Sequence, residues 1–426
     1  MTTTPVQALR AVRSVAVEPG PDLLDLLPVS GAHAWVREGE GLVGWGCLAR
    51  LEVSGPDRFA EAEAWWRSVV AGTDVVDEIG VHGSGPVAFG SFSFADGGSS
   101  VLVVPEVVVG HRDGQWWVTT ATGGTSLTAA APAQPPGAVR YADGSRTAPE
   151  WVAVVAEAVR RIEAGQVGKV VLARDVEART DQPLDLRWPL HRLATDYPQC
   201  WTFCVDGLLG ATPEMLVRLE RGAVTSRVLA GTLARSGVTA QDERKGAGLA
   251  RSIKDVEEHG YGVRSVADAL RPHCAVLDVP AAPFVLELPN VMHLATDVAG
   301  QVTDGSTSFG LLASLHPSAA VCGAPTATAL EVISEIEGLD RGRYAGPVGW
   351  VDAAGDGEWG IALRCAEVDA ADPHRLRLFA GCGIVSGSKP DAELAESMAK
   401  LVPMRSALEG QPVTAARTAR STSTAD

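Results

Sequence analysis

Residues 388–400, with the sequence SKPDAELAESMAK, predict a helix near the C-terminal end of the chain. Ser388 and Asp391 have the spacing of a capping box, and Pro390 is tolerated in a first helical turn. We therefore expect the helix to begin at this serine.

The same helix carries three charged side chains on one face. Glu393, Glu396 and Lys400 stand at i, i+3 and i+7, which places them within about 60° of one another at roughly 100° per residue. Two carboxylates and an ammonium in one stripe can hold a hard cation together with an anionic ligand. The alternative is a solvated face with helix-favouring charge pairs.

A second acidic cluster lies upstream in residues 251–260, RSIKDVEEHG. Asp255 and Glu258 are three residues apart, and the apolar positions around them have helical spacing: Leu249, Ile253, Val256, Val263, Val266 and Leu270. Mg²⁺ prefers oxygen ligands and usually takes one or two carboxylates plus an anionic substrate group. Glu258 together with Glu393 or Glu396 would meet that demand, although paired acids on helices are also common without a metal.

Several unusual stretches lie between and upstream of these clusters. They are GKVVLAR (168–174), ATPEML (211–216), LAGT (229–232), LPNVMHL (288–294), LHPSAAVCGAP (315–325), RGRYAGPVGW (341–350), IALRCA (361–366) and AGCGIV (380–385). In these motifs the chain resembles the chorismate-utilising enzymes, the family of isochorismate synthases, salicylate synthases, anthranilate synthase large subunits and aminodeoxychorismate synthases. The resemblance runs in motif order from about Glu150 to Leu408. It implies an α+β fold like that of anthranilate synthase component I, in which large antiparallel β-sheets form a core surrounded by helices.

The domain organisation follows from where the motifs lie. We expect residues 146–408 to form the chorismate-binding catalytic region and residues 1–145 to belong to the same globule. The stretch 128–138, TAAAPAQPPGA, is a loop by composition and separates the two parts. Residues 409–426 have too little apolar content to pack, so we expect a disordered tail.

The local patterns predict individual elements. Residues 75–81, 87–94, 100–109 and 116–120 are β-branched and bounded by turns, so each is expected to be a strand. Residues 57–70 are expected to form a helix. Thr147 and Glu150 make a capping box before an apolar helical stripe that ends at Gly165, and a strand is expected over 167–174.

Composition and charge indicate a cytosolic protein that acts on a small molecule. No apolar run reaches the length of a membrane span, and the N-terminal residues lack the pattern of a signal peptide. The seven cysteines are scattered and odd in number, as expected of reduced thiols, and no pair pattern indicates zinc. A net charge of −16 argues against nucleic-acid and anionic-membrane partners. We expect a cytoplasmic monomer that needs no glutaminase subunit.

The family resemblance implies two catalytic residues. Lys169 matches the general base that activates water, a position that is not lysine in the ammonia-using relatives. Glu214 matches the general acid, because the C4 hydroxyl of chorismate leaves readily only when protonated, and a buried carboxylic acid with a raised pKa supplies that proton. In isolation each would be read as a solvated residue at a strand end.

The resemblance also implies the groups that bind the substrate. Chorismate is a dianion, so an acidic chain must gather positive charge locally. Arg364 alternates with apolar residues in a predicted strand and matches the residue that binds the enolpyruvyl carboxylate through its bidentate fork. Lys400 matches the residue near the ring carboxylate. The full set of implied substrate-binding residues is Gly231, Thr232, His293, Tyr344, Arg364, Gly381, Gly383 and Lys400; His293 is equally well read as a satisfied core histidine. The implied Mg²⁺ ligands are Glu258, Glu396, Glu393 and Asp255.

The activity that these features imply is isochorismate synthase. Water would attack C2 of chorismate, the double bonds would shift and the C4 hydroxyl would leave. A salicylate synthase, which then eliminates pyruvate, is the alternative, but Ala320 stands where those enzymes tend to carry a hydroxyl residue. Ala230 stands where aminodeoxychorismate synthases with a covalent intermediate carry lysine. A non-catalytic chorismate-binding or amidotransferase-partner subunit is a third hypothesis, which the presence of base, acid and metal ligands disfavours.

Overall fold

The computed structural model describes residues 2–3, 11–121, 123–124 and 126–411 of the chain. Its helices are α1 (Arg58–Ala71), α2 (Ala148–Glu163), α3 (Arg187–Asp196), α4 (Thr239–Leu249), α5 (Ile253–Leu270), α6 (Ser308–Leu315), α7 (Thr326–Ile336) and α8 (Pro390–Glu409), with a short 3₁₀ helix at Leu23–Leu26. The first strands are β1 (Thr2–Thr3), β2 (Val12–Ala16), β3 (Ala32–Arg37), β4 (Glu40–Trp45), β5 (Ala49–Val53), β6 (Val75–Asp77), β7 (Val87–Ser91), β8 (Ser100–Val104), β9 (Val107–Arg112), β10 (Gln115–Thr120), β11 (Val139–Asp143) and β12 (Lys169–Thr180). The remaining strands are β13 (Trp201–Val205), β14 (Leu208–Thr212), β15 (Met215–Glu220), β16 (Ala223–Ala234), β17 (Cys274–Asp278), β18 (Phe284–Glu287), β19 (Val291–Val302), β20 (Gly323–Ala324), β21 (Pro347–Asp352), β22 (Gly357–Ile361), β23 (Cys365–Asp369) and β24 (Asp372–Ile384).

Two large sheets form the core. The first sheet has the strand order β1-β5-β8-β7-β21-β22-β15-β16-β19-β17, with β18 also paired to β19. The second has the order β11-β12-β24-β23-β14-β13-β3-β4-β9-β10-β2-β6, with β20 paired to β12. The pairs are antiparallel except β2 with β6. The predicted α+β class with large antiparallel sheets is confirmed. Strands from the N-terminal part lie in both sheets, while the boundary at residue 145 stays a prediction.

The chain passes from one sheet to the other at short connections. Residues 213–214 lead from β14 in the second sheet to β15 in the first, and residues 362–364 lead from β22 back to β23. Each connection is bonded to the strand that adjoins the other one: Ile361 N–H, at the end of β22, donates to Glu214 O at 3.2 Å, and Ala211 N–H, in β14, donates to Arg364 O at 3.4 Å. The two crossings therefore lie side by side.

Helix α2 forms where the sequence predicts it. The Thr147 hydroxyl accepts the Glu150 N–H, and the Glu150 carboxylate accepts the Thr147 N–H, so the capping box is confirmed. Trp151 is buried and donates its indole N–H to Ala173 O at 2.9 Å. The apolar stripe of α2 thus packs on the second sheet directly beside β12.

Several predicted elements differ in extent. Helix α8 begins at Pro390 without a side-chain cap, so the Ser388 capping box is wrong; its hydroxyl instead accepts the Val385 N–H in the preceding loop. Residues 100–109 form two strands in different sheets, because Pro105 has no N–H for a ladder and the chain turns there. The strands predicted over 75–81 and 87–94 end at Asp77 and Ser91.

Three further predictions are adjusted by the structure. The helical pattern from Leu249 to Leu270 is broken between α4 and α5, and Ile253 is exposed rather than packed. The tail predicted from residue 409 lies mostly outside the described residues, and Glu409 itself still belongs to α8. The N-terminal residues used to judge a signal peptide also lie outside them, except for β1. No helix in the described ranges combines the length and apolarity needed to cross a bilayer.

A buried ion pair at the C-terminal end of α7 ties this helix to β12 of the second sheet. Arg341 and Glu337 are almost fully buried and form two hydrogen bonds of 2.6 and 2.7 Å. The guanidinium also donates to Val171 O and Val321 O, and the carboxylate accepts the Ala173 N–H at 2.7 Å. Removing either side chain would therefore leave the other as a buried charge without its ion-pair partner.

We expect Glu337→Ala to lower the free energy of unfolding by about 3–5 kcal/mol, because it leaves Arg341 buried and unpaired. Urea unfolding measures the change. Glu331→Ala, at an exposed position on the same helix, is the matched control and should change it little. Equal stability of the two variants would show that the ion pair does not hold α7 on the sheet.

Candidate active site

A cavity of about 60 Å³ lies between the two sheets. Strands β12, β16, β19 and β24 and helices α5 and α8 contribute to its walls. The predicted site residues that line it are Glu214, Gly231, Thr232, Glu258, His293, Tyr344, Arg364, Gly381, Gly383 and Lys400. The structure thus brings together residues that are up to 186 positions apart in sequence (400 − 214).

Glu214 and Arg364 stand on the two bonded connections between the sheets. Arg364 does not lie on a strand, as the alternating pattern predicted; it has φ 48° in the gap between β22 and β23. The strand prediction for Arg364 was wrong because the alternation of polar and apolar residues continues through the connection between β22 and β23, where the backbone turns. The turn directs the guanidinium to His293, whose Nε2 lies 2.9 Å from it.

Burial sets the protonation of Glu214. Its side chain is almost fully enclosed, and burial raises the pKa of this carboxyl to about 7 against the opposing effects of the Leu229 N–H, Lys169 and Arg364. A carboxyl in that range is largely protonated at neutral pH or just below it. It is therefore equipped to donate a proton into the cavity.

A β-bulge in β16 shapes the wall opposite. The pairing of β16 with β19 shifts between Ala230 and Thr232, so Gly231, at φ +69°, is the extra residue. Its carbonyl and the Thr232 hydroxyl each lie 3.2 Å from Nδ1 of His293. Burial and then Arg364 hold the pKa of His293 well below its ordinary value, so a neutral ring links the bulge to the guanidinium.

Lys169 lies behind the cavity wall rather than in it. The residue is fully buried at the start of β12, and its ammonium group has no hydrogen-bond partner among the described residues. Its nearest charged neighbour is Glu258, with Nζ 3.5 Å from Oε1. A Cβ on Gly383 would overlap with that carboxylate and touch Cε of Lys169, so glycine at this position leaves the two side chains room to meet the cavity.

The acidic side chains of α5 and α8 converge beside this lysine. Burial and the nearby Glu396 raise the pKa of Glu393, and burial likewise raises that of Glu258, with Glu396 and Glu393 contributing. Glu393 and Glu396 place ligand atoms within 4.8 Å of each other and of the Cys382 sulfur. Burial is the first cause of both shifts, and repulsion between the neighbouring carboxylates adds to it.

Each carboxylate of the cluster also has a lysine nearby. Lys400 lies 2.6 Å from Glu396 and donates to Gly381 O at 2.9 Å, and Lys254 lies 3.1 Å from Glu393. Burial acts to lower the pKa of Lys400, but Glu396 and Cys382 together outweigh it, so the pKa is raised. Lys400 is therefore a fixed positive charge at the cavity.

Three predicted metal ligands are neighbours, and the fourth stands apart. Glu258, Glu393 and Glu396 interact with one another, although only Glu258 lines the cavity. Asp255 is one turn before Glu258 on α5, and its Cβ packs against Gly231. The three clustered carboxylates supply oxygen ligands of the kind that Mg²⁺ prefers.

Tyr344 and Arg341 complete the wall beneath the cavity. Tyr344 stacks on Phe379 with ring centroids 5.1 Å apart, and its hydroxyl faces Gly381. The sequence interpretation assigned no role to Arg341, which lines the cavity while holding Val171 and Val321 by their carbonyls. The spacing of Glu337 and Arg341, four residues apart at the end of a helix, is the signal that would have found this pair.

Comparisons with known proteins agree with this arrangement. A family model described as chorismate binding enzyme matches residues 33–409. The chain is similar to the salicylate biosynthesis isochorismate synthase of Pseudomonas aeruginosa, with 34% identity over 91% of this chain and 88% of the relative. It is 41% identical to the isochorismate synthase DhbC of Bacillus subtilis over 60% of this chain and 66% of that protein, just under two thirds of its length. Among solved structures, MenF, the menaquinone-specific isochorismate synthase of Escherichia coli, superposes with a TM-score of 0.77 at 22% identity, covering 95% of this chain and 96% of the other.

Proposed function

This chain belongs to the chorismate-binding enzyme family, and on that premise we propose that it is an isochorismate synthase that interconverts chorismate and isochorismate. The observation that carries the proposal is the pairing, in one cavity, of a buried Glu214 with a pKa of about 7 and a cationic wall of Arg364 and Lys400. Relatives named isochorismate synthase, at 34–41% identity, support the same activity.

Glu214 is proposed as the general acid. The C4 hydroxyl of chorismate leaves as water once a proton reaches its oxygen, and Glu214 holds a proton in a water-poor pocket near neutral pH. The bonded crossings fix its backbone, since the Glu214 carbonyl accepts the Ile361 N–H. Its carboxyl is therefore positioned without relying on a flexible loop.

Lys169 is proposed as the general base. A water molecule beside its amine attacks C2 of the ring, its proton passes to Nζ, and the double bonds shift as the C4 oxygen leaves with the proton from Glu214. One water is consumed and one released, so the reaction is an isomerisation. One observation supports the role: Nζ is buried without a hydrogen-bond partner in the described residues, so it is available to a water molecule.

The two carboxylates of chorismate need two positive positions. Arg364 offers a fork whose orientation His293 fixes, which suits the enolpyruvyl carboxylate. Lys400, held by Glu396, suits the ring carboxylate. Mg²⁺ held by Glu258 and Glu396, with Glu393 next to them, would supply the positive charge that lets a carboxylate approach this acidic cluster.

We also propose that the chain works as a monomer in the cytoplasm and needs no glutaminase subunit. All seven cysteines are free in the structure, although five are buried, which is consistent with a reducing compartment. A water-using mechanism requires no ammonia channel, and the chain carries both the proposed acid, in the cavity, and the proposed base, directly behind its wall.

The product identifies the activity. Purified protein incubated with chorismate and Mg²⁺ should yield mainly isochorismate, because Ala320 lines the cavity without offering a hydroxyl group. Chromatography of the quenched mixture measures it, with Lys169→Ala as the control that should form neither product. Salicylate with pyruvate as the main products would assign the chain to the salicylate synthases, and anthranilate formed with ammonium would refute water attack.

The pH profile identifies the acid. Because Glu214 acts in its protonated form, kcat/KM for chorismate should fall as the pH rises through about 7. Glu214→Gln should lose about 10²–10⁴-fold in kcat, retain chorismate binding and lose this limb of the profile. Glu214→Asp keeps the acid and is the matched control. A limb that persists in the glutamine variant would assign the ionisation to another group.

The metal proposal is tested by titration. Glu258→Gln and Glu396→Gln should each weaken Mg²⁺ binding, measured by calorimetry, and lower turnover in parallel. Glu257→Gln changes an exposed neighbour on α5 and should leave both unchanged. If the two cluster variants titrate with Mg²⁺ like the unaltered protein, the ligands lie elsewhere.

A further inference from the structure

A second group of potential ligands lies away from the cavity, at the turn between β21 and β22. His82, Asp352 and Asp356 place ligand atoms within 4.8 Å of one another. They line a separate, open pocket of about 240 Å³, together with Asp77, Ser84 and Glu220. None of these six residues lines the cavity that contains Glu214. The mechanism above assigns them no role.

His82 is the unusual member of the group. It is 5% exposed, and neither ring nitrogen has a hydrogen-bond partner in the described part of the chain. Burying an imidazole with both polar atoms unsatisfied is costly unless a ligand completes them. The ring is also fixed in place, because it packs on Trp350 with centroids 4.7 Å apart.

The two ring nitrogens of His82 lie near different carboxylates. Nδ1 lies 4.0 Å from Oδ2 of Asp352, whereas Nε2 lies 3.6 Å from Oε1 of Glu358. Glu358 is already held by the indole N–H of Trp35 and by Arg112. A metal-binding histidine usually directs its second nitrogen to a carboxylate that fixes the tautomer. Glu358 occupies that position, so the lone pair of Nδ1 is left facing Asp352.

Within the described ranges, no lysine or arginine side chain forms an ion pair with either aspartate. The Oδ1 atom of Asp352 accepts the N–H groups of Ala354 and Asp356, and Oδ2 is its oxygen nearest His82. Asp356 accepts the backbone N–H of Arg221 at 2.6 Å, while the guanidinium of that arginine donates to Gly80 O. The buried imidazole of His82 thus lies beside the carboxyl groups of both aspartates.

We propose that His82, Asp352 and Asp356 form a binding site for a divalent transition-metal ion, with Zn²⁺ as the best match. One imidazole nitrogen and two carboxylate oxygens suit zinc, whereas magnesium and calcium prefer oxygen alone. Ligand distances of about 2.1 Å in a tetrahedral zinc site hold ligand atoms about 3.4 Å apart. The 4.0 Å between His82 Nδ1 and Asp352 Oδ2 therefore shortens on binding, and rotation of the half-buried Asp356 carboxylate supplies the remaining adjustment.

The ion would join distant parts of the chain. His82 follows β6, which pairs at the edge of the second sheet, whereas Asp352 ends β21 and Asp356 precedes β22 in the first sheet. A bound ion therefore crosslinks the N-terminal segment to the hairpin whose second strand leads into the Arg364 crossing. Because such an ion binds the folded chain in preference to the unfolded chain, it raises the unfolding temperature.

Zn²⁺ alone is the probe. The metal-free full-length protein is dialysed against Zn²⁺ in excess Mg²⁺, which occupies the acidic cluster of α5 and α8. Metal analysis should find one Zn²⁺ per chain, and thermal unfolding should shift to higher temperature. Asp356→Asn keeps an oxygen for the Arg221 N–H but loses charge, and should weaken Zn²⁺ binding by at least about tenfold. His82→Gln should do the same.

The controls separate this site from the others. Asp113→Asn changes an exposed aspartate in another hairpin, and Glu396→Gln changes the acidic cluster; both should keep the bound Zn²⁺ and the thermal shift. If His82→Gln does not fold, Asp356→Asn decides alone. Zn²⁺ retained equally by Asp356→Asn, or no Zn²⁺ bound by the unaltered protein, would overturn the proposal.

Discussion

The paired crossings between the two sheets are the constraint on which the active site depends. The chain changes sheets at residues 213–214 and again at 362–364, and backbone hydrogen bonds join the two places. Since a crossing ends the regular ladder, its side chains are free to point into the space between the sheets. Glu214 and Arg364 occupy those positions, so the proposed acid and the main anion-binding group are set by backbone geometry.

The helices then supply what the sheets lack. Sheet interiors are apolar, and an acidic chain that binds a dianion must bury several charges without leaving them unpaired. The structure does so in linked pairs: Lys169 with Glu258, Lys400 with Glu396, and Lys254 with Glu393. Because each pair joins a lysine to an acidic residue of α5 or α8, the position of these helices fixes the electrostatics of the cavity. The same clustering brings three carboxylates together beside the cavity, and such oxygen donors are the physical argument for a divalent cation.

Sequence patterns correctly predicted elements that are determined within one segment, but not features that depend on contacts with distant segments. This holds for the fold and for the candidate site. The capping box at Thr147 is complete within one segment, and α2 forms there. Ser388 has the right spacing for a cap, but its hydroxyl is used by the loop before the helix. Arg364 has a strand-like alternation, yet pairing with the neighbouring crossing bends the chain at that residue.

The sequence motifs predicted most of the residues that line the cavity, because the family resemblance rests on side-chain types at fixed spacing within each motif. Nothing in the sequence placed Lys169 behind the wall, since that position depends on how α5 packs on the sheets.

Isotope transfer from solvent tests the central claim, that water attacks C2 while the C4 hydroxyl departs, most directly. The reaction is run to an early time point in water enriched in ¹⁸O, and the isochorismate formed is analysed by mass spectrometry. The account predicts one ¹⁸O atom per molecule of newly formed isochorismate, located at the C2 hydroxyl. Isochorismate that carries no solvent oxygen would show that the hydroxyl group migrates within the substrate, and it would contradict the proposed roles of Lys169 and Glu214.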